Sequence, residues 1–103
     1  MWTYQLVLQF PADAVDYDDL ISIEDELLEV IRPPAAVDGH DFGSGEGNIF
    51  ILTDNPGATF DNVLPVLKNL SRDRDATVAY RSIQGEEYTV IWPKGFKGEF
   101  SVA

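Results

Sequence analysis

Between Trp2 and Phe10 the side chains of Trp2, Tyr4, Leu6, Leu8 and Phe10 alternate with those of Thr3, Gln5, Val7 and Gln9. A period of two sends successive side chains to opposite sides of an extended backbone, so this stretch predicts a strand with one buried face. The period then changes. Across Asp18 to Ile31, the residues Leu20, Ile23, Leu27 and Ile31 fall at helical spacing, Leu28 widens the stripe, and Glu24, Asp25, Glu26 and Glu29 lie opposite. Asp18 or Asp19 is expected to cap this helix, where negative charge also suits the positive end of the macrodipole. Pro33-Pro34 end it.

Two short strands follow, Ala36 to Phe42 and Asn48 to Thr53, separated by Gly43-Ser44-Gly45-Glu46-Gly47, whose glycines permit a hairpin turn. A second helix is expected beyond Asn55-Pro56, with Phe60, Val63, Leu64, Leu67 and Leu70 as its apolar stripe and Thr59 as its cap. With that start, Pro65 would lie just past the first turn and force a bend or an early 3₁₀ segment. A second hairpin, Thr77 to Ile83 and Glu87 to Trp92, turns at Gln84-Gly85-Glu86 and stops at Pro93. The reading is therefore one α+β domain over residues 1–93 and an irregular tail over 94–103, anchored by Phe96, Phe100 and Val102.

The order strand, helix, strand, strand, helix, strand, strand resembles the ferredoxin-like superfold with one extra C-terminal strand. The resemblance implies a two-layer sandwich. Its sheet would be mostly antiparallel, in order 2-3-1-4-5, with both helices on one face and Thr3, Gln5, Val7 and Gln9 on an open one.

Charge narrows the partners. Residues 1–67 carry thirteen acids against the single base Arg32, while residues 68–103 carry five acids against six bases, so the formal charge of −11 divides as −12 and +1. Such a front repels DNA and anionic membrane surfaces and attracts cationic partners. RNA recognition on the sheet is disfavoured too, because the expected central strand Asn48-Ile49-Phe50-Ile51-Leu52-Thr53 has one aromatic and no base. Lys68, Arg72, Arg74 and Arg81 are the residues from which a local basic patch would have to come.

With 45% apolar residues the chain can build a core, and without cysteine it has no disulfide, thiolate zinc site or cysteine nucleophile. No secretory leader or membrane-spanning run is legible, which makes a cytoplasmic protein the default expectation.

Chemical motifs are weak. Asp38, His40, Asp41 and Glu46 gather four metal-binding or proton-transferring groups within nine positions, and His40 is the sole histidine. His40, Asp41 and Glu46 are thus the candidate catalytic residues. On a regular strand, however, Asp38 and His40 share a face that Asp41 does not, so convergence needs a bulge. Gly43-x-Gly45-x-Gly47 leads into a strand and carries Glu46, matching no nucleotide fingerprint. Asp16-Tyr17-Asp18-Asp19 lacks the central glycine of a calcium loop. No metal and no cofactor is implied.

The first expectation is a small binding or regulatory protein of inhibitor or immunity type rather than an enzyme. Asp16, Asp18, Asp19, Glu24, Asp25, Glu26 and Glu29 would supply the field that steers it to a basic protein surface. The second is a dimeric ferredoxin-like sensor or cofactor-free enzyme that uses the open sheet face, with the His40 region at the rim. Monomer and homodimer are both compatible with the sequence.

Overall fold

A computed structural model describes residues 2–103. Its elements are β1 (Tyr4–Pro11), α1 (Tyr17–Val30), β2 (Ala36–Gly43), β3 (Glu46–Thr53), α2 (Pro56–Asn69), β4 (Thr77–Ser82) and β5 (Thr89–Trp92). The five strands form one open antiparallel sheet in the order β2-β3-β1-β4-β5, as the alternation of strand and helix patterns predicts. No helix among the described residues is long and apolar enough to cross a membrane.

Strand parity decides what meets the helices. Leu6, Leu8 and Phe10 of β1 pair across to Ile51, Ile49 and Gly47 of β3, and Leu8 to Val78 of β4. These apolar side chains join Leu20, Ile23 and Leu27 of α1 and Val63, Val66 and Leu67 of α2 in one buried cluster, so both helices cover the same face. Each fully buried aliphatic chain contributes about 1.5–3 kcal/mol by leaving water. Gly47 sits at the tightest approach: a Cβ there would stand 3.1 Å from both Leu20 Cδ2 and Phe42 Cδ1.

The helix termini differ from the sequence expectation. Asp16, not Asp18 or Asp19, caps α1, with its Oδ1 accepting the Asp19 N–H at 2.8 Å. On α2 the cap is Asn55, whose Oδ1 accepts the Ala58 N–H at 3.0 Å, with Pro56 at the first helical position. Pro is favoured there because its missing N–H would have had no helical partner. Thr59 instead lies inside, where its hydroxyl is 2.7 Å from that of Thr53. The earlier start carries Pro65 into the helix middle, yet α2 runs through it. Pro65 and Asp61 are exposed, so the carbonyl four residues back can turn to water.

α2 closes with Ser71 at φ 57°, the Arg72 N–H on Leu67 O at 2.8 Å and the Ser71 N–H on Lys68 O at 3.1 Å. That is a Schellman ending with serine in the left-handed position. It places Arg72 to donate to Ala14 O at 3.1 Å and to Asp19 Oδ2 at 3.0 Å, joining the ends of the two helices.

The second sheet face is covered rather than open. Val7 and Ala79 have no exposure, although neither belongs to the helix-side cluster. The segment 94–103 is irregular and packs there: Gln9 Nε2 donates to Ser101 O at 2.8 Å, and the Ala103 N–H donates to Glu46 Oε2 at 3.0 Å. Phe100 meets the Tyr88 ring edge to face at 4.9 Å. The physical reason lies in the neighbouring strands. Phe50, Leu52, Ala79 and Val90 share the side of Gln5, Val7 and Gln9, and an apolar surface of that composition favours a cover.

Candidate protein-binding surface

Helix α1 carries its acids on three different sides. Asp16 caps it, and Asp19 pairs with Arg72 at 3.0 Å. Glu24, half-buried, holds Nδ1 of His40 at 3.1 Å and 3.2 Å from its two oxygens. Asp18, Asp25, Glu26 and Glu29 are exposed and make no ion pair among the described residues. Asp18, Asp25 and Glu29, spaced by seven and four, follow one line up the helix, opposite the buried Leu20, Ile23 and Leu27.

Helix stability accounts for only part of this arrangement. Asp18 and Asp19 lie in the first turn, where a carboxylate interacts favourably with the macrodipole. Glu29 lies in the last turn, which contains no base, and there the same dipole acts against it. Asp25 and Glu29 are also like charges four residues apart, a pairing that costs a few tenths of a kcal/mol. The carboxylates at the C-terminal end of α1 thus oppose the local energetics.

An apolar strip runs beside them. Tyr17 is 50% exposed and Leu28 is 52% exposed, with Ile21 half-buried between them on the same side. The sequence reads Leu28 as widening the buried stripe, but the core takes Leu27 and leaves Leu28 outside. The Tyr17 ring meets His40 at 5.8 Å and Phe42 at 5.9 Å, both edge to face. The strip therefore continues onto β2, an edge strand of the sheet. Large amphipathic side chains bordered by charge are what a protein contact uses as anchors. Tyr17, Leu28 and Phe42 are the members sequence reasoning passed over; the only signal was that an apolar stripe including both Leu27 and Leu28 is wider than one packing face needs.

The candidate catalytic residues are not brought together. His40 pairs with Ile49 and Phe42 with Gly47, on the helix side, while Asp41 pairs with Asn48 and points the other way. Asp38 is the extra residue at an irregularity between Val37 and Gly39, but that bulge leaves Asp41 and His40 on opposite sides. Glu46 is on the second face, where Oε2 accepts from Gln9, Asn48 and the Ala103 N–H, each at 3.0 Å. No group of three or more His, Asp or Glu side chains able to hold a metal occurs among the described residues. The glycine run is a tight turn with Ser44 at φ 55° and Gly45 at φ 81°.

The bases do not form one patch either. Arg72 is engaged with Ala14 and Asp19, and Arg81, on the second face, donates to Gln5 and to the carbonyls of Ser82, Ile83 and Gly85. Lys68 and Arg74 line a hollow with Ser71 and Asp73. A further hollow of about 390 Å³ lies between the end of α1 and the start of α2, lined by Arg32, Thr53, Asn55 and Thr59 among others. Most of its polar side chains are already used: Arg32 donates to Leu28 O, Asn55 caps α2, Asp54 accepts from Thr3, and the two threonines bond each other. Comparison of the chain with protein-family models, curated proteins and solved structures gave no match.

Proposed function

We propose that this protein is a small acidic binding or regulatory module, of inhibitor or immunity type, whose α1 surface recognises a basic surface on another protein. The observation that carries the reading is the pairing of unneutralised carboxylates with an exposed apolar strip: Asp18, Asp25 and Glu29 beside Tyr17 and Leu28. The carboxylates would steer the encounter, and Tyr17, Leu28 and Phe42 would supply the contacts that leave water. Glu29 supports the reading because it sits where helix electrostatics alone would place a base. Strand order and pairing also support a ferredoxin-like frame, in which the helix layer, rather than the sheet, faces the partner. The alternative, a ligand or catalytic cavity on the other sheet face, would require the 94–103 segment to move aside.

The test is capture from the native host, repeated with an Asp18→Lys, Asp25→Lys, Glu29→Lys variant and with Leu28→Ala. Charge reversal should abolish capture of the basic partner, rising salt should slow its association, and Leu28→Ala should speed dissociation. A partner held equally by all three proteins at every salt concentration would refute the reading.

A further inference from the structure

We propose that the second face of the sheet is a peptide site, and that the segment 99–103 of another copy of this chain is its ligand, the site being filled in cis here. The site reads main chain. Gln9 Nε2 donates to Ser101 O at 2.8 Å, and Glu46 Oε2 accepts the Ala103 N–H at 3.0 Å, so two sheet side chains recognise a carbonyl and an amide two residues apart. Both are held independently of the segment they bind. Asn48, fully buried, accepts from Gln9 Nε2 at 3.1 Å and donates to Glu46 Oε2 at 3.0 Å, which fixes the two reading groups before any peptide arrives. Phe100, against Tyr88 at 4.9 Å, supplies an aromatic anchor on the same face.

The segment is attached loosely. Among the described residues it forms no ladder with any strand, and the only backbone bond that residues 94–103 make is the local one from Phe96 N to Pro93 O at 3.2 Å. Gly95 and Gly98 adopt positive φ, with nothing within 4 Å of the place a Cβ would occupy, and Lys94 and Lys97 are exposed. An arm of this kind can swing about its glycines. Every contact it makes in cis is available in trans to an identical chain, so the balance is between local concentration and protein concentration. Reciprocal exchange of two arms closes a dimer without any new contact chemistry.

The probe is a fluorescein-labelled peptide of residues 98–103, with binding to the full-length protein followed by anisotropy. Phe100→Ala in the protein frees the site by weakening its own arm, and should bind the peptide at least about tenfold more tightly than the unaltered chain. The same peptide with its phenylalanine replaced by alanine, or with the final amide nitrogen methylated, should bind at least about tenfold more weakly. Sedimentation of the intact protein should show a dimer that increases with concentration and with salt, which screens the repulsion between two chains of charge −11. The acidic-surface partner responds to salt in the opposite sense, so the two readings fail separately. Equal peptide binding by the unaltered and Phe100→Ala proteins, indifference to the peptide's phenylalanine, or a monomer at every concentration would overturn the proposal.

Discussion

Replacing Arg72 by Met keeps most of the apolar stem and removes the guanidinium that ties the two helix ends together. Three contacts disappear. The bond to Ala14 O at 3.1 Å is the largest, because a part-buried carbonyl loses a charged donor, worth about 1.5–3 kcal/mol. The Asp19 carboxylate, at 3.0 Å, is 44% exposed, so solvent screening reduces that pair to about 0.5 kcal/mol. Asp75 at 3.6 Å adds about 0.3 kcal/mol or less. The expected loss is about 2–4 kcal/mol, a large share of a typical domain stability of about 5–15 kcal/mol. Urea unfolding followed by Trp fluorescence should show a lower midpoint at unchanged slope, and the thermal midpoint should fall by about 10–20 °C. High salt should narrow the gap to the unaltered protein only by the ion-pair share, about 0.5–0.8 kcal/mol. A total loss below about 0.5 kcal/mol, or one that vanishes in salt, would refute the assignment of the Ala14 bond as the principal tie.

Cap identity can be tested by comparing two neighbouring aspartates. Asp16→Ala should destabilise by about 1 kcal/mol and Asp18→Ala by no more than about 0.3 kcal/mol in chemical denaturation. Gly47→Val should cost about 2 kcal/mol, since the added side chain must push into fully buried Leu20 as well as the more yielding Phe42; an unchanged melting curve would show that α1 can rise to admit it.

The strand order was legible because each strand and helix has its own apolar period. Leu6, Leu8 and Phe10 cannot share a face unless the backbone is extended, and Leu20, Ile23 and Leu27 cannot unless it is helical. Helix starts were less legible because several good caps compete. Asp16, Asp18 and Asp19 are all suitable in isolation, as are Asn55 and Thr59, and the choice depends on where packing sets the first turn. The candidate surface was half visible. Its carboxylates are countable in the sequence, whereas the exposure of Leu28 beside buried Leu27 depends on how α1 is rotated over the sheet. Contacts between distant segments were not visible at all: His40 finds Glu24 sixteen residues away, not its neighbour Asp41, and Gln9 finds Ser101 across ninety-two.

The edge strand β2 makes no backbone hydrogen bond other than those with β3 among the described residues. Eight residues of unpaired edge would ordinarily invite another chain to add a strand, and from there a filament to grow. Here the register slips between Val37 and Gly39, Gly39 turns to φ 136°, and Asp38 and Asp41 put negative charge along the rim. A second edge of the same kind would meet a kink and like charge together. The two aspartates that look from the sequence like parts of a reactive cluster thus stand where a second edge would have to dock, and replacing both by Thr is expected to shorten the time a concentrated solution takes to form fibres.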